Sequence, residues 1–107
     1  MLVLNLKRHW YAEVAEGRKT VEYRALGRYW QSRLERLKPG DRIRFRLGYC
    51  DRASDLPAVV EGIDVGPCPY RGWDGDFYRI RFRLLPRLPQ KPLKAPATAL
   101  QGPSNDP

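Results

Sequence analysis

Lys19, Glu22 and Arg24 lie close together in the stretch EGRKTVEYR, which runs from Glu16 to Arg24. A lysine, a carboxylate and a guanidinium at this spacing can neutralise one another on a solvated strand. They can also hold the polar groups of a ligand. An amine desolvated beside a carboxylate can, in addition, take part in proton transfer. On a two-residue period Thr20, Glu22 and Arg24 share one strand face, and Val21 and Tyr23 the other. The apolar pair is expected to face the core, which leaves Glu22 and Arg24 paired on the exposed face. Lys19 precedes the strand, so alternation does not fix its direction. Spacing alone keeps both readings open, a charged strand edge and a site.

The surrounding elements must position these groups. Leu2-Val3-Leu4-Asn5-Leu6 is a short apolar run and reads as a buried first strand. Trp10 and Val14, with Tyr11 and Ala15 beside them, recur at helical spacing and predict a short amphipathic helix over about 8–16. Gly17 follows where a left-handed cap residue belongs. A β-prone segment over 20–24 comes next. Gly27 breaks it, and Trp30, Leu34 and Leu37 predict a second helix over about 28–37. After the turn Lys38-Pro39-Gly40-Asp41, the segment 41–49 is the cleanest strand. Ile43, Phe45 and Leu47 point one way along it, and Arg42, Arg44 and Arg46 the other. Strands are also expected over 58–65, with a bulge at Gly62, and over 77–84. In the last of these Arg79, Arg81 and Arg83 alternate with the core residues Tyr78, Ile80, Phe82 and Leu84. A glycine- and proline-rich loop carrying Tyr70 and Trp73 separates the two strands. Two helices early and three consecutive strands late do not fit a doubly wound parallel sheet. They fit an α+β, mainly β fold: a curled, mostly antiparallel sheet or small β-barrel with two short helices at its rim.

Bulk composition narrows the function classes. The chain has 107 residues and a net charge of +8. Six of its ten prolines fall in 86–107, a stretch without apolar period that is expected to form a flexible, disordered tail. The domain is thus 1–85, with a proline-rich tail at 86–107. The domain alone carries 17 basic and 11 acidic residues, so the positive charge is not a property of the tail. Such a balance favours a polyanionic partner, of which nucleic acid is the commonest. One histidine and two cysteines without C-x-x-C spacing cannot assemble a four-ligand zinc site, and no metal or cofactor is expected. No apolar stretch is long enough for a membrane partner, and a cytoplasmic location with reduced thiols is expected; a Cys50–Cys68 disulfide is disfavoured there.

Gly17-x-Lys19-x-x-Glu22-x-Arg24 matches the G-x-K-x-x-E-x-R signature of the ASCH domains, a branch of the PUA-like superfamily. Further stretches resemble the small ASCH proteins of bacteria and their phages. These are Asn5-Leu6-Lys7 with Trp10-Tyr11, Tyr29-Trp30 with Arg33-Leu34, and Arg44-Phe45-Arg46-x-Gly48-Tyr49. The strand around Glu61 and the loop Trp73 to Tyr78 are also similar, so the resemblance spans roughly residues 2–84. It implies a PUA-like β-barrel with helices at the rim and a cleft beside the first helix, lined by the motif strand. It also implies a role connected with RNA or nucleotides. Some ASCH relatives are small amidohydrolases acting on acetylated cytidine, in which the motif lysine is linked to catalysis together with a threonine and a further glutamate. Lys19 matches that lysine, Glu22 stands where that pattern has its threonine, and Glu61 is a candidate for the glutamate. Other relatives are reported as ribonucleases.

Three functions follow as expectations. The first is binding of RNA or of a nucleoside or nucleotide in a basic cleft, with Lys19, Glu22 and Arg24 as its floor and Lys7, Arg33, Arg46 and Tyr49 around it. The second is hydrolysis of a modified nucleoside or of RNA, with Lys19 and Glu22 as candidate catalytic residues. The third is a non-catalytic interaction module using the proline-rich tail. Two further features have competing readings. The arginines at 42, 44 and 46 and at 79, 81 and 83 would form one phosphate-attracting face if their strands were neighbours, or else a solubilising face that blocks edge pairing. The aromatics Tyr29, Tyr49, Tyr70 and Trp73, near loops or helix starts, could stack on bases, whereas Trp30 reads as core.

Overall fold

The computed structural model describes residues 1–48 and 54–86. The elements follow the expected order: β1 (Leu2–Leu6), α1 (Arg8–Ala15), β2 (Val21–Ala25), α2 (Arg28–Leu34), β3 (Arg42–Leu47), β4 (Leu56–Pro67) and β5 (Asp76–Leu84). The expected tail beyond Pro86, and Tyr49 and Cys50, lie outside the described residues.

The strands form one mixed sheet in the order β1-β3-β4-β5-β2. β1 runs parallel to β3, while the β3–β4, β4–β5 and β5–β2 pairs are antiparallel. The β4–β5 register shifts between Val60 and Gly62, which places the bulge at the expected glycine. The expectation of a closed barrel is corrected. Among the described residues β1 and β2 are the two edges, with no ladder between them. Instead, the Arg24 side chain reaches across, and its Nη2 donates to the Asn5 carbonyl at 3.1 Å. Strands joined by a ladder stand about 4.8 Å apart, too close to admit a guanidinium between them. The fold is therefore α+β and mainly β, with an open seam between its edge strands.

Leu4, Ile43, Phe45, Val60 and Ile80 of the sheet and Val14 of α1 are the largest fully buried side chains. The Phe45 and Phe82 rings meet at 4.5 Å. α1 packs on β1 and β3, and its Tyr11 hydroxyl donates to the Ser54 carbonyl. α2 ends at Leu34, short of the expected Leu37. Pro39 disfavours helical backbone just ahead of it. The chain tightens instead, with the Leu37 amide bonding back three residues to the Leu34 carbonyl.

A further expectation, the facing of β2, is corrected. Glu22 faces inward and is only 4% exposed, whereas Val21 and Tyr23 are half-buried. The register explains this. Glu22 lies opposite the fully buried Ile80, while Val21 and Tyr23 lie opposite Arg81 and Arg79. Cross-strand partners share a face, so β5 dictates which face of β2 turns inward. The two arginine rows do not merge either, because β4 separates β3 from β5. β4 contributes Asp64, which holds Arg79 and Arg81, and Glu61, which lies 3.6 Å from Arg83.

Candidate functional site

The site is built from the end of α1 onward. Gly17 adopts φ +81°, a backbone conformation that glycine enters without steric cost. This turn lets the Arg18 and Lys19 amides both donate to the Glu13 carbonyl, at 3.0 and 3.1 Å. Lys19 is thereby tied to the end of the helix before β2 begins. Its neighbour Thr20 opens the β2–β5 contact by accepting from the Phe82 amide at 3.1 Å.

Glu22 is the centre of the arrangement. Arg24 grips Oε2, with Nε at 2.8 Å and Nη2 at 2.6 Å. Lys19 Nζ stands 2.7 Å from Oε1, but at an angle outside hydrogen-bonding geometry. Oε1 is thus a buried acceptor with no aligned donor among the described residues. Lys19 and Glu22 side chains are 6% and 5% exposed, so the charges face each other with little water between them. The Lys19 ammonium also lies over aromatic rings, 4.4 Å from the Trp10 centroid and 5.4 Å from that of Tyr70. The Arg24 guanidinium stacks 4.8 Å from the Trp30 ring.

A cleft of about 360 Å³ opens along the seam, lined by Lys7, Trp10, Glu22, Arg24, Trp73 and Phe77 among others. Its size falls within the range of small-molecule sites. The loop after β4 supplies part of the wall. Tyr70 packs on Trp10 at 4.7 Å and on Trp73 at 5.7 Å, and Trp73 meets Phe77 at 5.6 Å. Burial raises the hydroxyl pKa of both Tyr23 and Tyr70, with nearby Cys68 adding to the effect in each, and Tyr23 adding to it in Tyr70. Both remain neutral phenols at ordinary pH.

The structure brings together Lys7, Glu22 and Arg24 in this cleft. Lys19 touches Glu22 from behind and lines a separate hollow of about 400 Å³, with Glu61 and Arg83 on the same wall. Glu61 therefore sits on the Lys19 side, not in the seam. Arg33 belongs to a third, smaller hollow next to the seam cleft. Arg46 lies elsewhere, gripped by Asp55 through Nε at 2.6 Å and Nη2 at 2.8 Å. Tyr49 falls outside the described residues. Sequence reasoning missed Trp10, Tyr23 and Phe77 as cleft walls and the Asn5 carbonyl as an anchor. Tyr23 was expected to face the core and Trp10 was read only for its helical spacing, so their closeness to the G-x-K-x-x-E-x-R motif was the one hint.

Among the described residues no group of three or more His, Cys, Asp or Glu side chains could hold a metal ion. No helix among them is long and apolar enough to cross a membrane. The geometry can do two things: offer a planar ring the aromatic wall of Trp10, Trp73 and Phe77, and attract negative charge through Lys7 and Arg24. Neither the family models nor the curated proteins compared with the chain gave a match.

Proposed function

We propose that the seam cleft binds the base of an RNA strand or of a nucleotide, in a domain of PUA-like, ASCH type. The observation that carries this reading is the lining of the cleft, where Lys7 and Arg24 stand beside the rings of Trp10, Trp73 and Phe77. The aromatic wall suits the π-faces of nucleobases. The basic balance of the chain, +8 overall, favours the phosphates that accompany a base. The reading sets the protein in the cytoplasm, among such ligands. Titration of short single-stranded RNAs and mononucleotides, followed by tryptophan fluorescence across a salt series, tests it. Saturable quenching that weakens as salt rises supports the proposal. No response to any of them at low salt overturns it.

A second reading, hydrolysis at the same motif, draws on the 2.7 Å contact between Lys19 and Glu22. Binding is favoured over it because the Lys19 ammonium is aimed at a carboxylate and ring faces, not into the cleft. Turnover of acetylated cytidine or RNA that disappears in Lys19→Ala, with the fold intact, would decide for hydrolysis.

A further inference from the structure

A hollow of about 150 Å³ adjoins the seam cleft, and the two share Asn5 and Arg24 as common walls. The volume is that of about five waters, enough for a small tetrahedral anion. Tyr29, Trp30 and Arg33 of α2 close it on one side, and Leu2 and Val3 of β1 on another. Its two charged side chains are both guanidiniums, Arg24 and Arg33.

Arg33 is held in a fixed pose. Its guanidinium carbon lies 3.5 Å from the Tyr29 ring centroid, and Nη1 donates to the Tyr29 carbonyl at 2.9 Å. Arg18, Arg24, Arg46, Arg79 and Arg81 all have carboxylate partners. Among the described residues no carboxylate lies within ion-pair distance of Arg33. A planar donor fork that is held in place, uncompensated and turned to a small hollow matches the oxygens of a phosphate. Arg24 completes the connection. Its guanidinium grips Glu22 on the cleft side and borders the hollow on the other.

We infer that the site takes a phosphate ester of a nucleoside, not the bare nucleoside, with the base in the seam cleft and the phosphate in the adjoining hollow between Arg24 and Arg33. The inference rests on the base-binding reading above and extends it to a second anchoring point. A free nucleotide and a phosphodiester within RNA share this chemistry, and the ligands tested must tell them apart.

The experiment compares cytidine, cytidine 5′-monophosphate, cytidine 3′-monophosphate, a trinucleotide and inorganic phosphate, by calorimetry, on the whole protein and on Arg33→Ala and Arg33→Lys. Arg33 is exposed, and thermal melting verifies that both variants remain folded. The expected result is at least tenfold tighter binding of one monophosphate, or of the trinucleotide, than of cytidine. That ratio should collapse towards one in Arg33→Ala and be partly kept in Arg33→Lys. Preference for a monophosphate assigns the hollow to a terminal phosphate, and preference for the trinucleotide to a diester. Equal affinity for cytidine and every phosphate ester overturns the inference while leaving base binding intact. So does a phosphate preference that Arg33→Ala does not change. Binding of inorganic phosphate alone, with no response to cytidine or its esters, overturns both the inference and the base-binding reading.

Discussion

Asp64 and Glu22 each hold two cations, and they do so in opposite settings. Asp64 lies on the outer face of β4, its side chain 42% exposed, and pairs with Arg79 at 2.8 Å and Arg81 at 3.2 Å. Glu22 lies on the inner face of β2, 5% exposed, between Lys19 and Arg24. Both Asp64 oxygens accept aligned donors from Arg79, and the fit is close. A Cβ on Gly66 would stand 2.5 Å from the Arg79 guanidinium carbon. Glu22 has one oxygen gripped by Arg24 and the other 2.7 Å from the Lys19 ammonium, at the wall of a cleft. The Asp64 cluster is complete in itself and solvates an outer face. The Glu22 cluster is buried and borders a cleft.

The contrast can be broken by substitution, and the largest effect is expected at Glu22. Glu22→Ala leaves the Lys19 ammonium buried without its carboxylate, and should cost about 3–5 kcal/mol in urea unfolding. A cost no greater than that of Asp64→Ala would mean that the two clusters are equivalent. Next comes Trp73→Ala. Trp73 is 37% exposed, so its loss should lower the melting midpoint little. Nucleotide affinity should nevertheless fall by about 1–3 kcal/mol, the contribution of one stacked base. Unchanged affinity would remove the loop after β4 from the site.

A smaller effect is expected at alkaline pH. Burial raises the Tyr23 and Tyr70 pKa values in the folded chain, so the unfolded chain ionises first, near pH 10. Their contribution to stability is therefore complete below about pH 10 and is lost as pH rises further. Melting midpoints taken from pH 8 to 11 should fall at the top of this range, and fall less in Tyr70→Phe. The smallest effect is expected for Asp64→Asn. The Arg79 guanidinium holds the Asp64 carboxyl below its ordinary pKa, so this pair helps only above the usual carboxylate range and fades as pH drops through it. Because the pair is solvated and screened, the midpoint at neutral pH should move by no more than about 3 °C.

Much of the fold was legible because periodicity is local. β1 was read residue for residue, α1 and β3 within a residue or two at their ends, and the Gly62 bulge by its position. The inward face of β2 was not legible. Alternation separates Glu22 from Val21 and Tyr23, but only the pairing with β5 says which set turns inward. Whether the arginine rows meet was left open for the same reason, since strand order is a property of the whole sheet. Arg46 looked available until Asp55, nine residues on, closed its fork. The G-x-K-x-x-E-x-R spacing did identify the residues that meet, Lys19, Glu22 and Arg24, because a glycine turn and five residues of strand fix their relation locally.

The central claim is that the seam around Glu22, and not the basic outer face, is the ligand site. The most direct test is an amide and indole NMR titration of the whole protein with cytidine monophosphates and a short single-stranded RNA. The account predicts saturable shifts at the Trp10 and Trp73 indoles and at the amides from Glu22 to Ala25. Asp64, Arg79 and Arg81 should stay in place. Shifts centred on Arg79 and Arg81 with the seam unmoved, or no shifts at millimolar ligand and low salt, would contradict it.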